Sequence, residues 1–311
     1  MSSLPRPLVH DCDPGTDDAV ALLLAVNSPE LDLLAVTTTH GNVALHDTTR
    51  NALELLSFAG HAHIPVYAGA ETPLIRPPVY APEIHGRGGL GGVTLPQVNG
   101  QPQPLHAALA LLDLADRYGD TLSICATGPL SNLALAERLR PGFLRGLREV
   151  VVMGGSLETG APKLGNVTPH AEFNAYADPH ALRVVLESGA RIVLFGLNLT
   201  RQVRVTRERE SALEALGTAA ASLTASMLGG YLDMIEKRDQ KTGALHDPCT
   251  VAYLIRPGLF RLEAARVHVV TDEGETSGMT TRTEGAANVQ LATWADEDGV
   301  YELLSERLGQ K

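Results

Sequence analysis

The feature that most restricts the fold is an order of segments. Short apolar, β-rich runs alternate with helical patterns along most of the chain. Leu8 to Asp11 reads as a strand ending at a Pro14-Gly15 turn, and TDDAVALLLAVNS follows as a helix with Thr16 as its N-cap. LDLLAVTTT is a second strand that ends at His40-Gly41-Asn42. A helix over Asp47–Ala59 and a short strand at Pro65–Ala68 come next. After a Pro- and Gly-rich stretch from Pro73 to Pro104 the alternation resumes, with a helix over Leu105–Tyr118, the strand TLSICATG and a helix from Leu130. REVVVMGG reads as a buried strand, Pro179–Ser188 as a helix and RIVLFGLN as a strand. Helices fill much of Arg207–Arg238 and Pro248–Ile255. RLEAARVHVV and NVQLATWA are strands, and Val300–Leu308 is a closing helix.

This βαβα order predicts an α/β fold: a mostly parallel central sheet, Rossmann-like and open, flanked by helices on both faces. The chain has 311 residues, 44% of them hydrophobic, enough for a substantial core. No linker is visible, so residues 1–311 are expected to form a single domain. The stretch from Pro73 to Pro104 is long for a connection inside a domain and reads as a lid or binding loop. Its IHGRGGLGG lacks the GxxxxGK[ST] pattern of a phosphate-binding loop.

Open α/β sheets bind ligands beyond the carboxyl ends of their strands. Five predicted strands end in polar clusters there: DCDPGTDD, HGN, TGPLSN, Met153-Gly154-Gly155 and NLTRQ. The first places Asp11, Asp13, Asp17 and Asp18 within eight residues. Four crowded carboxylates are relieved by protons, solvent or a hard cation, and oxygen-only donors favour calcium or magnesium. Asp17 and Asp18 alone would suit an acidic helix start. Asp11 and Asp13 would still need partners.

Two later segments add polar groups. GNVTPHAEFNAYADP holds Glu172 and Asn174, whose oxygens and amide can fork to sugar hydroxyls. Its plainer reading is a polar loop with Asp178 as a helix cap. ALHDPCTVAYLI puts His246 and Asp247 ahead of an apolar helix that opens at Pro248. Asp247 could simply cap it, which leaves His246 unexplained.

The formal charge of −11 argues against nucleic acid and against an anionic membrane surface as partner. The N-terminus, MSSLPRPLVHDCD, has no long apolar run before the first strand, so neither a signal peptide nor a membrane span is expected. The three cysteines, Cys12, Cys125 and Cys249, form no CxxC pair and read as buried small residues. A cytoplasmic protein is expected.

DCDPGTDDA resembles the signature of the inosine-uridine type nucleoside hydrolases, usually written DTDPGxDDA. HGN at 40–42, IHGRGGLGG at 84–92, TGPLSN at 127–132, MGG at 153–155, AEFNAYADP at 171–179, NLT at 198–200 and HDP at 246–248 follow in family order. The resemblance implies the nucleoside hydrolase fold and hydrolysis of the N-glycosidic bond of ribonucleosides to ribose and free base. It implies Ca2+ held by Asp13, Asp18, the carbonyl of Thr127 and Asp247, with Asp11 beside the ion. Asp17, Asn42, Asn166, Glu172 and Asn174 match residues that hold the ribose, and Met153 one that packs beneath it. His246 matches a catalytic histidine near the leaving base, and His85 lies on a loop facing the base. A calcium-bound water activated by Asp13 would attack the sugar. The partner is a small nucleoside, and homodimers or homotetramers are implied. Cys12 stands where threonine is usual and is expected to face the core.

Two other readings are open to the same residues. Asp11-Cys12-Asp13 with Thr16 loosely resembles the nucleophile strand of magnesium-dependent phosphohydrolases of the haloacid dehalogenase type, without a convincing later acidic pair. A nucleoside-binding protein without turnover would also use these groups.

Overall fold

The computed structural model describes residues 4–157, 165–238 and 242–310. Strand β1 (Arg6–Cys12) leads into helix α1 (Thr16–Val26), and β2 (Leu31–Thr38) into α2 (Leu45–Phe58). Strand β3 (Val66–Ala68) opens the long connection, which contains the short helix α3 (Pro82–His85). Next come α4 (Ala107–Tyr118), β4 (Ser123–Ala126), α5 (Ser131–Leu139) and β5 (Glu149–Met153). Helices α6 (Phe173–Ala177) and α7 (Pro179–Leu186) precede β6 (Ile192–Phe195) and α8 (Leu197–Thr200). A small hairpin of β7 (Arg204–Val205) and β8 (Gly243–Ala244) brackets α9 (Arg207–Glu214) and α10 (Ala219–Glu236). The chain closes with α11 (Pro248–Ile255), β9 (Phe260–Val269), β10 (Thr280–Thr283), β11 (Val289–Ala295) and α12 (Glu297–Leu308).

Among the described residues, nine strands form one sheet in the order β10-β9-β11-β6-β5-β4-β1-β2-β3. Pairings from β3 through β11 are parallel, and β9 runs against both of its neighbours. The mostly parallel α/β sheet expected from the sequence is present. Its central strands are apolar on both faces because helices cover both. In β1, Leu8 and Cys12 enter the core beneath α1, α10 and α11, while Val9 enters the core beneath α4, α5 and α7. In β5, Val151 faces the first core and Val150 and Val152 the second. The three cysteines are buried and unpaired, Cys12 in the core as expected.

The order 3-2-1-4-5-6 reverses direction between β1 and β4. Connections leave these adjacent strands toward opposite sides, and a crevice opens at their carboxyl ends. The strand ends Asp11-Cys12-Asp13 and Ala126-Thr127 meet there, with Asp11 level with Ala126.

Local boundaries depart from the sequence reading in instructive places. Thr16 is not the N-cap of α1: Gly15 is, and the Asp18 carboxylate reaches back to accept the Gly15 N–H at 3.1 Å. The Thr16 N–H goes instead to His85 Nδ1, at 3.2 Å. The closing helix starts earlier, at Glu297, because Asp296 accepts the Gly299 N–H at 3.1 Å. Strand β10 has the sequence TTRT, a polar edge strand with no apolar alternation to announce it.

Asp178 meets the expectation of a cap and does more. It accepts from Ala181 N at 3.0 Å at the start of α7, from Ser131 Oγ at 2.7 Å and from Leu74 N at 2.9 Å, while almost fully buried. One side chain thus ties α5, α7 and the long connection together. Asp178→Ala strands three donors at once and is expected to lower stability by about 3 kcal/mol. The urea unfolding midpoint of the variant against the native chain measures this, and an unchanged midpoint would contradict it.

Candidate active site

The crevice at the topological switch point is a cavity of about 740 Å³. Asp17, Asn42, His85, Thr127, Met153, Asn166, Glu172, Asn174, His246 and Asp247 line it. Asp11, Asp13 and Asp18 stand behind that wall with no exposed surface. Residues spread over most of the sequence therefore converge on one place.

Carboxylate oxygens of Asp17, Asp18 and Asp247 all lie within 4.8 Å of one another. The expected carboxylate ligands were Asp13, Asp18 and Asp247. Asp17 completes the tight group in place of Asp13. Asp18 is held by four donors: Asp13 N at 3.3 Å and Thr127 Oγ1 at 2.8 Å on Oδ1, Gly15 N at 3.1 Å and Asn42 Nδ2 at 2.9 Å on Oδ2. Asp247 stands at the N-cap position of α11, yet its side chain makes no cap bond. The reading of Asp247 as a simple helix cap therefore fails. Its carboxylate is turned to the other acids.

Asp13 is fixed on one side only. Its Oδ2 accepts the Asn42 N–H at 2.6 Å, while Oδ1 is buried with no partner among the described residues. Two glycines make the room it occupies. A Cβ on Gly41 would lie 1.9 Å from Asp13 Oδ2, and one on Gly128 would lie 2.7 Å from Asp13 Oδ1. The glycines of HGN and TGP are thus explained by a carboxylate passing between them. Asp11 is likewise held on one oxygen, with Thr37 Oγ1 at 2.6 Å and Asn132 Nδ2 at 2.8 Å on Oδ1, while its Oδ2 is buried with no partner among the described residues.

Burial and mutual repulsion raise the proton affinity of the whole group. Asp13 and Asp247 are pushed well above the ordinary carboxylate range, first by burial and then by neighbouring aspartates. Asp17 and Asp18 are raised to about 6, and burial lifts Asp11 to about 7. Like charges this close do not all ionise without compensation. A divalent cation fits: the donors are all oxygen, Asp13 Oδ1 and Asp17 Oδ1 are buried without partners among the described residues, and Thr127 lines the cavity.

The remaining residues occupy the other walls. Glu172 caps α6, accepting Asn174 N at 2.8 Å and Ala175 N at 3.0 Å, and also takes Gly155 N at 2.9 Å. Burial raises it to about 7. Asn174 Nδ2 donates to the Thr127 carbonyl at 2.7 Å, and Asn42 Nδ2 donates to Asp13 O at 3.1 Å. Both amide nitrogens therefore brace the site, leaving the Oδ1 atoms of these residues for a ligand. Met153 is buried at the end of β5, whereas Asn166 is exposed at the rim. His85 lies on α3 with Nδ1 3.9 Å from Asp17 Oδ1. His246 Nδ1 is 2.8 Å from Thr200 Oγ1, and burial, with help from Arg201 and His85, lowers the ring to about 3.

Several participants escaped the sequence reading. Thr37, Asn132, Thr200 and His10 support the acids or the histidine from behind, yet none belongs to an acidic or histidine motif. Asn132 and Thr200 carried a faint signal, since they lie in TGPLSN and NLTRQ, two of the strand ends marked as polar.

The family model described as inosine-uridine preferring nucleoside hydrolase matches residues 8–302. The pyrimidine-specific ribonucleoside hydrolase RihA of Photobacterium profundum is 38% identical over 312 residues, covering 97% of this chain and 98% of its own. Among solved structures, the plant nucleoside hydrolase PpNRh1 superposes with a TM-score of 0.92 at 32% identity, covering 99% of this chain and 100% of that one. The purine-preferring ribonucleoside hydrolase of Gardnerella vaginalis does so with a TM-score of 0.91 at 29% identity, covering 98% of each chain.

Two outcomes follow from this geometry. Gly128→Ala pushes a methyl against Asp13 Oδ1, and a displaced carboxylate of this kind should lower kcat/KM by about 10²-fold while leaving the fold intact. Circular dichroism beside steady-state kinetics checks both halves. The second outcome concerns pH. Carboxyls whose folded pKa is raised to about 6–7 favour the folded state while protonated, so that stability is full below about pH 4 and is lost as pH rises through 6 and 7. Chelator-treated protein should melt at falling temperature across that window, and a divalent cation, by replacing the protons, should flatten the decline. A melting temperature that rises through the window without added cation would refute this.

Proposed function

Because the chain belongs to the inosine-uridine preferring nucleoside hydrolase family, we propose that this crevice cleaves ribonucleosides at the N-glycosidic bond with calcium as the resident cofactor. The activity follows from family membership: the protein is an N-ribosyl hydrolase. The observation that carries the cofactor assignment is the convergence of Asp17, Asp18 and Asp247, in an acidic group where Asp11, Asp13 and Asp17 each keep one oxygen without a partner among the described residues.

Asp18, Asp247 and the Thr127 carbonyl would hold the ion, with Asp17 close enough to join them and Asp13 beside it. Calcium supplies Lewis acidity there, lowering the pKa of water and offsetting the buried negative charge. Calcium suits the set better than magnesium because its 6–8 oxygen ligands leave room for sugar hydroxyls.

Asp13 is the general base. Burial raises its proton affinity, and with Oδ2 fixed by Asn42, Oδ1 is the oxygen left to take a proton from the attacking water. Asp17, Glu172 and Asn166, with the Oδ1 atoms of Asn42 and Asn174, hold the ribose hydroxyls and orient C1′. Met153 packs against the sugar. The ring of the departing nucleoside becomes oxocarbenium-like as the base leaves, and the surrounding carboxylates and amide oxygens favour that positive charge.

His246 serves the leaving base. Burial keeps its ring neutral at physiological pH, so it would act as a hydrogen-bond donor: with Nδ1 accepting from Thr200 Oγ1, Nε2 would carry the proton offered to the base. His85 borders the same base. Homodimeric or homotetrameric assembly in the cytoplasm is part of the proposal, tested by sedimentation and by cell fractionation.

A kcat/KM panel over purine and pyrimidine ribonucleosides tests these roles. Asp13→Ala should abolish turnover on every substrate. His246→Ala should slow one class of base selectively, by about 10²–10⁴-fold, the usual range for proton or hydrogen-bond help to a leaving group. Equal, mild losses from both would contradict the assignments. A chelator should remove activity and added calcium restore it. Full turnover after exhaustive chelation would rule out the cofactor.

A further inference from the structure

The contact that His10 makes behind the acids has a direction, and the direction defines what it does there. His10 lies on β1, immediately before Asp11, and has no exposed surface. None of the motifs that carry the family resemblance includes it. Its Nε2 is 3.1 Å from Thr127 Oγ1, and Thr127 Oγ1 is 2.8 Å from Asp18 Oδ1.

The direction of these hydrogen bonds can be derived. An ionised carboxylate only accepts, so the single hydroxyl proton of Thr127 goes to Asp18. Thr127 Oγ1 must then accept from His10, which places the ring proton on Nε2. A second observation requires the same tautomer. Nδ1 of His10 is buried without a partner among the described residues. An N–H there would be a stranded donor, which folded proteins rarely contain, whereas a bare ring nitrogen is tolerated more readily.

We propose that His10 is a positioning residue for the cation site: its Nε2–H locks the Thr127 hydroxyl so that the hydroxyl proton stays on Asp18 Oδ1. Thr127 is the point where this lock has most effect. Its side chain orients one carboxylate, and its carbonyl, braced by Asn174 Nδ2 at 2.7 Å, belongs to the same donor set. A Thr127 side chain free to rotate could return its proton to another acceptor and leave Asp18 Oδ1 with only the long 3.3 Å contact from Asp13 N. Outer partners of this kind orient the groups that touch a metal. The proposal rests on the reading of Asp18 and Asp247 as cation ligands.

The test uses chelator-stripped full-length protein and three readouts: calcium affinity by calorimetry, melting temperature, and the His10 tautomer by long-range ¹H–¹⁵N correlation. His10→Phe keeps a ring but removes the donor. His10→Gln sets an amide N–H near the place of Nε2. Thr127→Val removes the hydroxyl and keeps the carbonyl. The native ring should show the Nε2–H tautomer. H10F should bind calcium about 10–100-fold more weakly, H10Q should recover most of that loss, and H10F/T127V should bind no more weakly than T127V alone, since both act along one path.

An Nδ1–H tautomer overturns the proposal. So does an H10F protein whose melting temperature falls while its calcium affinity stays native, or losses from H10F and T127V that add. If H10F does not fold, the native tautomer and the comparison of H10Q with T127V decide. Native protein that binds no calcium overturns the reading of the site, and this role with it. Native binding that H10F retains in full overturns only the role of His10.

Discussion

Crowded, buried negative charge governs this molecule. Asp11, Asp13, Asp18 and Asp247 lie almost wholly out of water, with Asp17 at the crevice wall. Nothing in an apolar core compensates for such a cluster. The structure surrounds it with donors: backbone N–H groups of Asp13, Gly15 and Asn42, hydroxyls of Thr37 and Thr127, and amides of Asn42 and Asn132. Even so, three carboxylate oxygens, one each on Asp11, Asp13 and Asp17, have no partner among the described residues. A site that satisfies most but not all of its acceptors is built to receive something positive.

The sheet makes the cluster possible. Parallel strands end with their carbonyls and following loops at one edge, and the reversal of strand order between β1 and β4 keeps the connections from covering that edge. Asp13 can reach the crevice only because Gly41 and Gly128 leave space on both sides of it. Those glycines belong to loops after β2 and β4, the two strands that flank β1. Sheet order and loop composition are therefore matched around one carboxylate. Rigidity beyond the acids comes from side chains that do two things at once. Glu172 caps α6 and borders the cavity, and Asn174 braces the Thr127 carbonyl while facing the same space.

Much of the fold was legible because hydrophobic period and turn residues are local signals. The alternation of apolar runs and helical patterns indicated the parallel sheet, and the polar strand ends indicated where ligands would gather. What stayed hidden was of two kinds. Polar edge strand β10 has no periodicity to read, and the first turn of α1 was misassigned because Asp18, three residues in, does the capping expected of Thr16. The supporting residues His10 and Thr37 are ordinary in sequence, and nothing local assigns a partner to Asn132 or Thr200 within their motifs. They gain meaning only from neighbours far along the chain, His10 and Thr127 being 117 positions apart.

The sequence by itself determined the class of fold, the acidic nature of the site and the ordered motifs by which the chain resembles its family. These depend on residue identity and spacing, which are properties of a line. Only the tertiary structure decided which acids share one space. It grouped Asp17, rather than Asp13, with Asp18 and Asp247, and it turned Asp247 away from its own helix. The reason is physical: whether two carboxylates repel, share a proton or hold a cation depends on a few ångströms of separation and on exclusion of water. Both are set by how β1, β4 and α11 pack, not by where their residues fall in the chain.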